Sequence, residues 1–250
     1  LDGYQTEQHA PYTSTQAGVS RPLSIDDVVT EAGITLGVLS VVAVLSYFLV
    51  SANLALAMPL TLVGGLGGLV LVLIATFGRK QDSPAIVLSY AALEGLFLGA
   101  VSFILANLYV SGASAGALIG QAILGTVGVF VGMLIVYKTG AIRVTPKFTR
   151  MMVAGMVGVL VLMLGNMVIS MFGSHDGGPL RNGGTLAIIF SLVCIALAAF
   201  SFLIDFDAAD QMIRAGAPEK AAWGIALGLT VTLVWLYLEM LRLLSYFQQR

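Results

Sequence analysis

Four acidic residues lie inside or at the edge of long apolar stretches: Glu94, Asp205, Asp207 and Glu239. An ionisable side chain at the centre of a membrane helix costs about 2.5–3.5 kcal/mol, so a partner or a function must offset it. Carboxylates can share protons or supply the hard oxygen ligands that calcium prefers. These residues therefore predict proton or cation chemistry within a membrane.

Each of the four residues also has a purely structural interpretation. Glu239 can form an ion pair with Arg242, which lies three residues further along the same helix face. Glu94 can form a hydrogen bond to a neighbouring helix. Asp205 and Asp207 fall at the end of an apolar stretch, where a carboxylate in the headgroup zone costs little.

The composition identifies the kind of protein that holds these residues. Of the 250 residues, 58% are hydrophobic and 10% are charged, whereas a soluble domain has about 25% charged residues. Twelve basic and thirteen acidic residues leave a net charge of −1, which excludes a basic surface for nucleic acid. The sequence predicts an all-α membrane protein that is not an enzyme and has no resident cofactor.

Seven apolar stretches approach the roughly 20 residues that a helix needs to cross a bilayer. The polar residues 1–24 that precede them predict a disordered tail, and 25–250 the transmembrane domain. The weakest boundary lies at 51–53, between the first two stretches. The predicted spans are 32–50, 55–77, 85–107, 114–137, 151–172, 185–206 and 222–247.

Basic residues predict the orientation, because loops rich in Lys and Arg stay in the cytoplasm. Nine of the twelve fall in the tail and in the loops after the second, fourth and sixth spans. The other three, Arg181, Arg242 and Arg250, fall on the opposite side. We therefore expect a cytoplasmic N-terminus and an external C-terminus.

Glycines recur at four-residue spacing in several spans, which lets helix backbones approach closely in lipid. We expect these faces to pack within one bundle, with self-association as the alternative. The pairs or series are Gly64 and Gly68, Gly95 and Gly99, Gly112 to Gly120, Gly128 and Gly132, and Gly224 and Gly228.

Three segments resemble the transmembrane Bax inhibitor motif family in its bacterial Bax inhibitor-1-like branch. They are YAALEGLFLG at 90–99, FLIDFD at 202–207, and LYLE with LRLL at 236–244. The resemblance implies seven transmembrane helices, with a central C-terminal helix surrounded by two layers of three helices.

The resemblance also implies a function. Bacterial relatives are implicated in a pH-sensitive calcium leak across the inner membrane, governed by a hydrogen-bonded carboxylate pair between helices 6 and 7. Carried over to this sequence, the pair is Asp207 and Glu239, with Asp205 as the register alternative, and Asp207 and Glu239 are the predicted calcium ligands. In this prediction, a shared proton holds the two helices together.

The position of the turn between the last two spans decides whether that pair can form. A turn near Trp223 and Gly224 would bring Asp207 and Glu239 to one depth. The turn signal at 216–218 would instead separate them by about 20 Å. A different class of function also stays open: a non-conducting membrane regulator that binds other membrane proteins, such as a protease or a stress or cell-death partner.

Overall fold

The computed structural model describes residues 21–108, 115–172 and 178–248. Within these ranges, seven helices are long and apolar enough to cross a membrane, and no strand is present. The prediction of an all-α, seven-span membrane protein is therefore confirmed. The helices are α1 (Ile25–Ala52), α2 (Ala57–Phe77), α3 (Pro84–Phe103), α4 (Ala115–Thr139), α5 (Pro146–Phe172), α6 (Thr185–Arg214) and α7 (Ala221–Gln248).

Local sequence signals explain several helix boundaries. Ser24 caps α1 and exchanges hydrogen bonds with Asp27, which satisfies the first free N–H groups of the helix. The Asn53 side chain accepts a hydrogen bond from the Ala55 N–H at 3.1 Å, where a short turn separates α1 from α2. Pro84 begins α3. Proline lacks a backbone N–H, and this costs nothing at a helix start, where the first N–H groups have no partner within the helix. The predicted weak boundary at 51–53 is thus a real break.

The C-terminal helix α7 is the centre of the bundle. It packs against α1, α3, α4 and α6, and it buries a larger share of its apolar stretch than any other span. On one side α1 and α2 pack on α3, and on the other α4 and α5 pack on α6. This arrangement agrees with the expected two layers of three helices around α7.

The chain just before α1 is fixed to the loop that joins α6 and α7. The Leu23 N–H donates to the Ala217 carbonyl at 2.8 Å, and the Glu219 N–H donates to the Arg21 carbonyl at 3.0 Å. The Leu23 side chain is buried. The sequence pattern placed residues 21–24 in the disordered tail, whereas the structure bonds them to the loop between α6 and α7. Residues 1–20 lie outside the described residues.

Glycines of α2 and α3 bring helices into close contact, as predicted. A Cβ at Gly64 would lie 2.5 Å from the Phe97 nitrogen, and one at Gly95 would lie 2.7 Å from the Leu39 oxygen. The α4 glycines differ. A Cβ at Gly125 would contact the Met240 side chain, but nothing lies within 4 Å of the Cβ position of the other four, which are Gly116, Gly120, Gly128 and Gly132. Gly112 lies outside the described residues. Packing within the bundle therefore explains the α2 and α3 glycines but not those of α4.

Candidate functional site

Glu239 of α7 is enclosed by two arginines and is 1% exposed. Arg181 donates two hydrogen bonds to its carboxylate, from Nη1 to Oε2 at 3.1 Å and from Nη2 to Oε1 at 2.9 Å. Arg242 donates a third, from Nη1 to Oε1 at 3.0 Å. Paired N–H groups of one guanidinium match the two oxygens of a carboxylate, which makes such contacts strong and directional. We call Arg181, Glu239 and Arg242 the ion-pair cluster.

Arg181 reaches this cluster from the turn that precedes α6. Its guanidinium lies 5.1 Å from the centre of the Phe190 ring, a distance at which cation and ring attract. The Tyr246 hydroxyl donates to the Arg181 carbonyl at 3.3 Å, which ties the turn to α7. Burial by itself lowers the pKa of the Arg181 guanidinium, but the hydrogen bonds and negative charge of Glu239 raise that pKa overall. Arg181 is therefore a permanent positive charge inside the bundle.

A cavity of about 440 Å³ lies beside the ion-pair cluster, between α5 and α7. Both arginines and Glu239 line it, together with Trp235 of α7 and Asn166 of α5. The Asn166 side chain accepts a hydrogen bond from the Leu180 N–H at 2.9 Å, so it holds the same turn that carries Arg181. Charged groups of the cluster are thus accessible from this cavity.

Asp205 of α6 contacts the middle of α7. Its Oδ2 accepts a hydrogen bond from the Thr232 hydroxyl at 2.7 Å. A Cβ at Gly228, one turn earlier, would lie 3.7 Å from the other carboxylate oxygen. The Asp205 carboxylate therefore lies against α7, the helix that forms the centre of the bundle, and an added Cβ at Gly228 would be in ordinary van der Waals contact with it.

Asp207 lies two residues further along α6 and has a different environment. Its Oδ2 accepts a hydrogen bond from the Gln211 side chain of the same helix at 2.6 Å. Of the two candidates on α6, Asp205 is therefore the one whose side chain is bonded to α7.

The predicted hydrogen-bonded pair of Asp207 and Glu239 does not form. Among the described residues, neither Asp207 nor Asp205 is bonded to Glu239, whose partners are the two arginines. The reason is the register of the hairpin. The turn lies at 215–220, with Gly216 at a φ of 66°, so Asp205 faces Thr232. Glu239 lies seven residues beyond Thr232, about 10 Å along the helix.

Glu94 of α3 lies close to the depth of Asp205. Tyr90 packs in one cluster with Leu227 of α7, and the Ser102 and Tyr237 hydroxyls are 2.9 Å apart. Glu94 lies between these two contacts, level with residues 230–232. Its carboxylate lies against Gly68 of α2, where a Cβ would be 2.6 Å from Oε2.

The acidic residues named from the sequence thus fall into separate positions. Within the described ranges, no three acidic, histidine or cysteine side chains come close enough to hold a metal ion together. Glu94 and Asp205 form no ion pair with any described residue, whereas Glu239 forms two. A tight calcium site of Asp207 and Glu239 is therefore not assembled in this conformation.

Sequence reasoning missed two residues of the site. Arg181 was assigned to an external loop by the count of basic residues, and Thr232 has no signal as a carboxylate partner. The i, i+3 spacing did identify the ion pair of Glu239 with Arg242, as the structural alternative. The sequence did offer one signal for Arg181. It is a lone arginine beside a turn of asparagine and glycines, in a protein whose last span carries the acidic residue Glu239.

This architecture defines a multi-pass α-helical membrane protein with a buried ion-pair cluster on its central helix. A family model described as Bax inhibitor 1 like matches residues 3–249. The chain belongs to the Bax inhibitor 1 like family, as the three motifs indicated. A comparison with curated proteins finds no match to the chain.

Proposed function

We propose that the protein is a calcium leak pathway that follows α7 and is closed in this conformation. The observation that carries the proposal is the placement of the Asp205 carboxylate against α7 and of Glu239 on α7, at two levels about 10 Å apart, with Glu94 of α3 near the level of Asp205. The Glu94 carboxylate itself lies against Gly68 of α2. Ionisable residues inside a membrane bundle commonly mark an ion pathway.

The level of Glu94 and Asp205 supplies the oxygens that calcium prefers. Asp205 is bonded to the Thr232 hydroxyl, and neither carboxylate is neutralised by a described basic residue. Calcium takes six to eight oxygen ligands, so each carboxylate needs water or carbonyl groups to complete the shell. Weak and partial coordination favours passage over tight retention.

The ion-pair cluster closes the pathway at the second level. Two guanidiniums and one carboxylate carry a net positive charge, which repels a cation that arrives from Asp205. Glu239 can act as a calcium ligand only after an arginine leaves it. We take Arg181 as the partner that leaves, because it comes from a different segment of the chain, whereas Arg242 lies on the same helix as Glu239.

Protons compete with calcium for the same oxygens, which gives the leak its pH sensitivity. The arginines already occupy the Glu239 carboxylate, so we assign the pH response to Asp205 and Glu94. The proposal keeps the orientation predicted from the basic loops: a bacterial inner-membrane protein with a cytoplasmic N-terminus.

The test is calcium entry into liposomes that contain the purified protein and a calcium-sensitive dye. We expect Arg181→Gln to increase the initial rate at least fivefold, because it leaves Glu239 with Arg242 as its one arginine partner and removes one positive charge. Arg214→Gln is the matched control, since Arg214 forms an exposed pair with Asp210 at the end of α6. Flux through none of these proteins would overturn the proposal and leave the non-conducting regulator of membrane proteins as the better function.

A further inference from the structure

The cavity beside the ion-pair cluster has an excess of positive charge. Its described ionisable lining consists of two arginines and one glutamate. Around them lie Phe190 and methionines of α5, which offer no counter-charge. A guanidinium excess in apolar surroundings favours an anion more strongly than the same charge in water.

Arg242 has N–H groups to spare. A guanidinium carries five N–H donors, and in the described part of the chain Arg242 uses only Nη1, toward Glu239. Its side chain is 25% exposed and lines the cavity. The Arg242 group is held in place by Glu239 on one side and is open to a ligand on the other.

We propose that this cavity binds a phosphate-type oxyanion through Arg242 and Arg181. The fork of a guanidinium matches two phosphate oxygens as it matches a carboxylate. Ser170 and Trp235 also line the cavity. The source of the oxyanion is a phospholipid headgroup or free phosphate, and the site requires no ion conduction by the protein.

Trp235 provides a reporter inside the site. The chain has two tryptophans, and Trp223 packs near the start of α7, twelve residues before Trp235. Trp223→Phe therefore leaves Trp235 as the single fluorophore. Full-length Trp223→Phe protein in nonionic micelles is titrated with sodium phosphate, against sodium chloride at equal ionic strength. A second titration uses phosphatidylglycerol, against phosphatidylcholine.

Two substitutions in this background have opposite expected effects. Arg242→Gln removes the donor fork and weakens binding at least tenfold, while Arg242→Lys keeps the charge and weakens it less. Glu239→Gln removes the competing carboxylate and tightens binding severalfold. Arg214→Gln, in the exposed pair at the end of α6, leaves the affinity unchanged. Size-exclusion profiles identify any variant that fails to fold, and either substitution alone tests the site.

The titrations distinguish the source of the oxyanion. A saturable signal with phosphatidylglycerol alone identifies a lipid headgroup, and one with phosphate alone identifies a free anion. Saturation with both supports a site that recognises the shared group. The proposal is overturned if neither probe gives a saturable signal, or if Arg242→Gln binds as tightly as its parent. Calcium flux is measured separately, so failure of this site and failure of the leak are distinguishable.

Discussion

The carboxylate of Glu239 accepts a two-point contact from Arg181, a residue 58 positions earlier in the chain, as well as a single bond from Arg242. One contact joins the turn before α6 to the central helix, and the other lies within that helix. The long-range contact therefore constrains the bundle, while the local one holds the Arg242 side chain in position.

Loss of the long-range contact should destabilise the protein. We expect Arg181→Gln to lower the free energy of unfolding by about 3 kcal/mol, because it removes one partner from a buried ion pair. Arg242→Gln should cost less, since Glu239 keeps its two-point contact. Equilibrium unfolding in mixed dodecylmaltoside and dodecylsulfate micelles, followed by tryptophan fluorescence, measures both.

Arg214→Gln is the control for this comparison. Arg214 pairs with Asp210 at 2.8 Å, but its side chain is 78% exposed. Exposed pairs contribute about 0–1 kcal/mol. If the Arg181 and Arg214 variants lose equal stability, the long-range contact does not constrain the bundle.

The two aspartates of α6 should differ in their effect on calcium flux. Asp205 is bonded to Thr232 of α7 and Asp207 only to Gln211 of its own helix. We expect Asp205→Asn to lower the liposome calcium rate at least tenfold and to flatten its dependence on pH, because it removes one carboxylate for which protons and calcium compete. Asp207→Asn should change the rate less than twofold. The reverse order of effects would restore Asp207 as the functional residue.

The register of α6 and α7 shows how far sequence reasoning extends. The glycine and proline at 216–218 predicted the turn correctly, and that turn sets Asp205 against Thr232. The same turn excludes the pair of Asp207 and Glu239, which only a later turn near Trp223 would have allowed. The turn signal at 216–218 thus predicts the relative depth of Asp205 and Asp207 against α7. The family resemblance suggested Glu239 as the partner of Asp207, and the observed register does not bring these two side chains together.

Arg181 illustrates what the sequence could not show. The positive charges of loops predict which side of a membrane they occupy, but not whether a side chain points into the bundle. That depends on the turn at 178–184, which Asn166 of α5 and Tyr246 of α7 hold in place. Such contacts join distant segments without any periodic pattern, so hydropathy and spacing do not reveal them.

The close approach of α2 and α3 should make Gly64 intolerant of a side chain. A Cβ there would lie 2.5 Å from the Phe97 nitrogen and 2.6 Å from the Leu93 oxygen, both backbone atoms that cannot rotate away. We expect Gly64→Ala to cost about 1–3 kcal/mol, the range for overpacking. Gly132→Ala is the matched control, because nothing lies within 4 Å of its Cβ position. Thermal unfolding of both variants tests this, and equal melting temperatures would show that the helices can separate.

The segment before α1 should stabilise the loop between α6 and α7. Leu23 is buried and bonded to Ala217, whereas Ile25, two residues later, is 66% exposed. We expect Leu23→Ala to lower the free energy of unfolding by about 3 kcal/mol, as for other buried leucines, and Ile25→Ala to have little effect. Hydrogen exchange of the loop amides gives a second measurement, since release of residues 21–23 should expose the Glu219 N–H. Slow exchange at Glu219 in the Leu23 variant would show that the loop keeps its structure without this contact.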